Sequence, residues 1–172
     1  MIDLTERQKM EYFRRSYTAA DGLWFMKVEE KCGFLEALQV DEAVWKVLPK
    51  IQARTIKSMM DLELGLDGLQ AAIDARLTLE GFAFALEPQE NGFSVFVSMC
   101  PWHDLMVESG RERLSQKVCD LICGVENSVW AMEFSEAGCE EIKFKREDMI
   151  CKGARRCMLW FGRSSNRILS SL

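Results

Sequence analysis

A single histidine, three prolines and no long apolar run are what the 172-residue sequence offers least of. With only His103 available, zinc hydrolases that hold metal through several imidazoles are excluded. No apolar stretch approaches the ~18 residues a membrane helix needs, and charge begins at Asp3, Glu6 and Arg7, so neither spanning nor secretion is expected and the cytoplasm is the default compartment. Neither the Walker phosphate loop nor a Gly-rich dinucleotide turn occurs. No CxxC pair announces a zinc ribbon. No linker rich in Pro, Gly or Ser divides the chain, and no repeat appears beyond a doubled hairpin. One domain over residues 1–172 is therefore expected, with a helical layer at 1–80 and a ligand-binding part at 81–172.

What is present is enough to fold. Hydrophobic residues make up 48% of the chain and charged residues 28%, which suits a packed core and an ordinary wet surface. The net charge of −5 is uneven, because residues 143–167 hold eight basic residues against two acidic ones. Such a basic edge could receive an anionic ligand or partner, although a solvated hairpin is the commoner outcome. With no basic-aromatic platform and a negative total, nucleic-acid binding is not expected. Seven cysteines in a reducing compartment are read as thiols rather than as a disulfide framework. Cys32 stands alone, while Cys100, Cys119, Cys123, Cys139, Cys151 and Cys157 fall in the C-terminal part.

The apolar spacing predicts a helix from Thr5 to about Thr18, a second from about Asp21 to Cys32 capped by Gly33, and a helical turn at 34–39. Asp41 then reads as an N-cap for the segment 42–48. Residues 50–79 suit one kinked helix or two, with the break at Gly65 or Gly68. The period then changes to two: Phe82–Leu86 and Phe93–Met99 predict a hairpin turning at 88–92. Glu112–Phe134 returns to helical spacing, and two further strands are expected near 142–145 and 157–161. The fold class is α+β, N-terminal helices packed with an antiparallel β-β-α-β-β unit. An exposed face in the helical layer could serve a homodimer. Trp24, Phe25, Phe34, Trp45, Met59 and Met60 are expected in the core, and a pocket between the helices and the sheet is the natural place for a small molecule.

Two constellations could carry chemistry. Cys100 and His103 are near enough in sequence for a thiol-imidazole pair, although a partly exposed loop histidine is the plainer reading. The cysteines say more. Cys119 and Cys123 lie four apart on a predicted helix whose stripe continues through Glu126, Trp130 and Phe134. A hairpin turn could bring Cys151 and Cys157 to one end of the sheet, close to Cys100 at a strand end. A tetrahedral thiolate site at ~2.3 Å per ligand could form there, and Lys152, Arg155 and Arg156 would favour thiolate. The alternative is that these residues are small buried hydrophobes.

The segment Asp21-Gly-Leu-Trp-Phe-Met-Lys-Val-Glu-Glu-Lys-Cys-Gly-Phe-Leu-Glu-Ala-Leu with Asp41-Glu-Ala-Val-Trp45, then Cys100-Pro-Trp, Cys119 through Cys123 to Trp130-Ala-Met-Glu-Phe134, and Ile150-Cys-Lys-Gly-Ala-Arg-Arg-Cys157, resembles a prokaryotic family related to the L-2-amino-thiazoline-4-carboxylic acid hydrolases. Its last part is similar to 4-vinyl reductase-type small-molecule-binding domains. The resemblance implies a fold like the ligand-binding domains of nitric-oxide signalling and Golgi transport proteins. It also implies a zinc ion beside an aromatic-ligand pocket, held by a helix cysteine, two hairpin cysteines and an acidic residue. Those positions fall on Cys123, Cys151, Cys157 and Asp148, with Cys100 the preferred fourth ligand and His103 or Cys119 as other substitutes. Cys32, Cys119 and Cys139 otherwise look incidental. The expected function is zinc-containing small-molecule binding, the ligand aromatic or anionic. The alternatives are a thiazoline-type hydrolase using Cys100 and His103 or a metal-bound water, and an iron-sulfur protein on the same thiolates.

Overall fold

The computed structural model describes residues 3–163, so Arg167 of the basic edge lies outside the described residues. The fold is α+β: four helices, a hairpin, two more helices and a second hairpin, with the strands in one four-stranded antiparallel sheet.

Helix α1, Glu6–Cys32, is one continuous rod where two helices are expected. It begins in a capping box: Thr5 Oγ1 accepts from the Gln8 backbone N–H at 3.3 Å, and the Thr5 N–H donates to Gln8 Oε1 at 2.9 Å. Asp21-Gly22 does not interrupt it, because a helical glycine costs only about 1 kcal/mol and no break is enforced without proline. Gly33, at φ 92°, ends it and leads directly into α2, Phe34–Trp45. Asp41 is thus not an N-cap. It stands inside α2 on the buried stripe Ala37, Asp41, Trp45, at spacings of four.

Residues 48–80 form two helices, as the glycines suggest: α3, Leu48–Met60, and α4, Leu66–Glu80. Gly68 must be glycine for a packing reason, since a Cβ there would lie 1.9 Å from the Glu63 carbonyl oxygen. The hairpin β1, Ala83–Gln89, and β2, Gly92–Met99, turns at Glu90-Asn91, so Pro88 lies within β1 rather than in the turn. This is tolerable because β1 is an edge strand in the order β1-β2-β4-β3. Pro101 then opens α5, Pro101–Glu108, a helix the hydrophobic spacing did not announce, and α6 follows at Glu112–Glu133. Strand β3, Lys143–Glu147, a 3-10 turn at Ile150–Lys152 and β4, Cys157–Gly162, complete the sheet.

The core joins both halves. Leu69, Ala72, Ile73 and Leu77 of α4 meet Phe93, Val95 and Val97 of β2, Leu159 and Phe161 of β4, and Trp130 and Phe134 of α6. Of the aromatic and methionine residues expected there from the helical layer, Trp45 is buried, whereas Trp24, Met59 and Met60 are exposed. They lie on helices whose outward faces nothing covers among the described residues. The sheet register positions the site. Val97 pairs with Cys157, Val95 with Leu159 and Leu159 with Arg146, so with period two Cys157 and Arg146 share the face that turns toward α6.

Candidate functional site

A cavity of about 130 Å³ lies between α6, the helical layer and the inner face of the sheet. Its walls are mainly apolar, with Leu77, Phe82, Val97, Ile122 and Leu159 among them. Cys100, Cys119, Cys123, Cys151 and Cys157 all line it, coming from the end of β2, from α6, from the 3-10 turn and from β4. The four cysteines expected to converge are thus brought to one wall, and Cys119 joins them instead of standing apart. Cys32 and Cys139 are exposed.

Cys123 is the centre of this wall. Cys119, one helical turn earlier, hydrogen-bonds to Cys123 and to Cys151. The Asn127 side-chain amide donates to the Cys123 backbone carbonyl at 2.8 Å and approaches its Sγ at 3.5 Å. Arg146 reaches across from β3 and donates to the Cys119 carbonyl at 2.6 Å, with the Cys119 Sγ at 3.5 Å. The Cys119 hydrogen bond, helped by the Arg146 charge, pulls the Cys123 thiol down to about 7 against the opposing effect of burial. The same pairing pushes Cys119 up, since it keeps its proton to donate. Burial raises Cys157, whose sulfur accepts the Ile150 N–H at 3.3 Å, and takes Cys100 to about 12.

The thiol-imidazole pair does not form. His103 Nδ1 lies 2.8 Å from Ser115 Oγ, while Cys100, at the N-cap of α5, makes no side-chain cap hydrogen bond. His103 lines the cavity from a helix rather than from a loop. Asp148 is exposed and absent from the cavity wall, its backbone at φ 37° serving the turn toward β4. Among the described residues, no three His, Cys, Asp or Glu side chains stand in an arrangement ready to hold a metal ion.

The opposite wall is polar in a way the sequence reading missed. Arg76, 3% exposed, lies inside the molecule with its Nη1 2.9 Å from Glu126 Oε1, its Nη2 donating to Asn127 Oδ1 at 3.1 Å and its guanidinium 5.2 Å over Trp130. Asp21 of α1 and Asp41 of α2 reach the same cavity. Burial first, and then neighbouring carboxylates, raise Asp21 to about 6 and Asp41 to about 7. Glu80, on the far side of Arg76, is raised to about 8 by burial against the pull of Arg76. Trp45 and Trp102 meet edge to face at 5.8 Å on this side of the cavity. Arg76 stands three and four residues after Ile73 and Ala72 on the apolar stripe of α4, and Glu126 with Asn127 lies on the stripe of Cys123 and Trp130. Those placements are the signal that could have found them.

The basic edge is largely paired within the chain. Arg146 serves α6, Lys152 meets Asp120 at 2.8 Å, Arg163 pairs with Glu136, and Arg156 lies 4.2 Å over Phe96. A family model described as a family of unknown function, DUF6125, matches residues 5–152. No curated protein and no solved structure matches the chain.

Proposed function

We propose that this chain, which belongs to the family of unknown function DUF6125, is a small-molecule-binding protein whose cavity carries, on one wall, a cysteine cluster that takes up zinc. One observation carries the reading: five thiols from four separate elements line a single cavity that is otherwise mostly apolar. Scattered buried cysteines would have no reason to gather so, whereas an enclosed apolar space with a few convergent polar groups is the normal form of a ligand site.

The metal set is Cys100, Cys123, Cys151 and Cys157, with Cys119 as hydrogen-bond donor to Cys123. Soft thiolates suit zinc, and a thiol already near 7 beside a guanidinium gives up its proton at little cost. The thiols would have to turn from their present rotamers toward a common centre at ~2.3 Å per ligand. Four protein ligands close the coordination shell, so the metal would fasten the β4 end of the sheet to α6 and contribute stability. Unpaired thiols in this number accord with a reducing, cytoplasmic setting. Among the described residues, no helix is long and apolar enough to cross a membrane.

The hydrolase alternative has less behind it, because Cys100 is held far from thiolate and the His103 imidazole is committed to Ser115. Metal analysis of anaerobically purified protein tests the zinc reading. About one equivalent of zinc per chain is expected, and less than about 0.2 equivalents of any transition metal would sink it. Absorbance in the visible region would assign the thiolates to an iron-sulfur cluster instead. α1 buries none of its residues and leaves Met10, Phe13, Leu23 and Trp24 exposed, and we propose that a second copy of the chain covers this face.

A further inference from the structure

Resting on that cavity reading, we propose that Ser115, with His103 as its general base, is an acyl-transfer centre in the cavity, and that its substrate is a neutral carboxylic ester with a short apolar acyl group. Ser115 Oγ stands 2.8 Å from His103 Nδ1, within reach for proton transfer. Both residues line the cavity, one from α6 and the other from α5. The bond that keeps His103 from Cys100 gives it to Ser115. A serine in a helix commonly turns its hydroxyl back to the carbonyl four residues earlier. Ser128 in α6 and Ser135 just past its end do so, donating to the Gly124 and Ala131 carbonyls at 2.7 and 3.0 Å. Among the described residues, Ser115 Oγ has no partner but His103, so its hydroxyl is delivered to a base instead of to the backbone. With Ser115 only 4% exposed, the pair is held out of bulk water.

The rest of the wall sets the class of substrate. Val118 and Ile122, one and two turns after Ser115 on the same helix, line the cavity beside it and offer an acyl chain an apolar bed. In size the cavity is comparable to those that enclose a benzene ring, so an acyl group of about six carbons is the scale that fits. Asp21 and Asp41 on the same wall would meet a carboxylate or phosphate substrate as like charges, which leaves a neutral ester. The reaction balances with water as its only co-reactant. In the tautomer that carries its proton on Nε2, His103 Nδ1 takes the Ser115 proton as Oγ bonds to the ester carbon; the bond from that carbon to the alcohol oxygen breaks, and the same proton leaves with the alcohol. Water then attacks the acyl carbon and gives a proton to Nδ1, and the carboxylic acid departs as that proton returns to Ser115 Oγ. Ser115 lies in the first turn of α6, whose positive end favours the negative charge that gathers on the attacked carbonyl oxygen.

Treatment of the whole protein with methanesulfonyl fluoride, a small reagent that sulfonylates an activated serine hydroxyl with loss of fluoride, tests this by peptide mass mapping. An adduct on Ser115 is expected, forming about 100-fold more slowly in His103→Asn. p-Nitrophenyl hexanoate is expected to be hydrolysed about 10-fold or more faster than p-nitrophenyl acetate, because the added methylenes are buried. Ser115→Ala is expected to lose about 100-fold of the hexanoate rate, which separates Ser115 from the cavity thiols as nucleophile. The mapping and the ester ranking on the unaltered protein stand independently of whether a variant folds. If Ser115 carries no adduct, or Ser115→Ala keeps the hexanoate rate within about 2-fold, the acyl-transfer inference is overturned. The cavity reading survives that result if 2-hexanone, an unreactive chain of the same scale, moves the indole N–H signals of Trp45 and Trp102, and fails with it if they stay in place.

Discussion

Replacing Arg76 with methionine removes the one cation from a buried cluster of carboxyl groups and keeps most of its volume. At 2.9 Å, the gross attraction between Arg76 and Glu126 is about 6 kcal/mol at an effective dielectric of ~20, before desolvation is counted. Most of that is spent on taking both ions out of water, so the pair itself stabilises little. Breaking it is another matter, because the partner is left charged in an apolar place at a cost of about 3–5 kcal/mol. The stacking of the guanidinium on Trp130 goes too, worth about 1 kcal/mol. For a chain of this length the sum is a fall in Tm of roughly 8–24 °C. Burial already raises Glu126 and takes Glu80 to about 8 with Arg76 present, and both rise further without it. Protonation therefore rescues the variant at low pH, and the loss measured by urea unfolding is larger at pH 8 than at pH 5. Adding Glu126→Gln to Arg76→Met removes the stranded charge, and the double variant is expected to be more stable than Arg76→Met alone at pH 8. A cost below about 1 kcal/mol at pH 8, or no recovery in the double variant, would refute the buried-pair reasoning.

The other predictions concern backbone, protons and association. Gly68→Ala pushes a Cβ into the Glu63 carbonyl and loses about 1–3 kcal/mol despite the better helix propensity, whereas Gly124→Ala, with nothing within 4 Å of its Cβ, gains about 0.5–1 kcal/mol; thermal melts decide both signs. Asp21, Asp41 and Glu80 have folded pKa values raised to about 6, 7 and 8, so the folded state binds more protons than the unfolded one between about pH 4 and pH 8. Stability is then highest at the acid end of that window and falls as pH rises through it, and urea midpoints that rise from pH 5 to pH 8 would contradict this. In metal-free protein, Cys123 is the first cavity thiol to react with iodoacetamide, with a midpoint near pH 7, and Cys119→Ala moves that midpoint upward by removing the hydrogen bond that holds the thiolate. Light scattering at micromolar concentration should give the mass of a dimer, reduced to that of a monomer by Phe13→Glu with Trp24→Glu.

Much of the architecture was legible because it depends on period. The changes from helical spacing to alternation at Phe82 and back at Glu112 set the element order, and Gly33 and Gly65 mark real ends. Where the reading failed, local signals were overridden. Asp21-Gly22 looked like a boundary and is the middle of α1. Asp41 looked like a cap and is buried in α2, because a short polar side chain near an apolar run has the same appearance in both roles. The convergence of Cys100, Cys123, Cys151 and Cys157 on one cavity was legible from the placement of each on its element. The role of Cys119 was not, since only the sheet register that brings Arg146 and Cys157 onto α6 shows which turn of that helix faces inward.

The two walls of the cavity are linked through α6. Cys119 and Cys123 face the sheet, and Glu126, Asn127 and Trp130, one and two turns further on, face α4, all on one stripe of one helix. Asn127 touches both sides, since its amide donates to the Cys123 carbonyl and approaches the Cys123 sulfur, while its carbonyl accepts from Arg76. A negative charge that develops on Cys123 is felt at Arg76, which in turn sets how strongly Glu126 holds its proton. Removing the Cys123 thiolate by alkylation therefore returns part of the Arg76 field to Glu126 and favours its ionised form. On that argument the two sides of the site are coupled: an alkylated Cys123 lowers the pKa of Glu126 through Arg76. The coupling is reciprocal by linkage, so ionisation of Glu126 raises the pKa of the Cys123 thiol by the same amount.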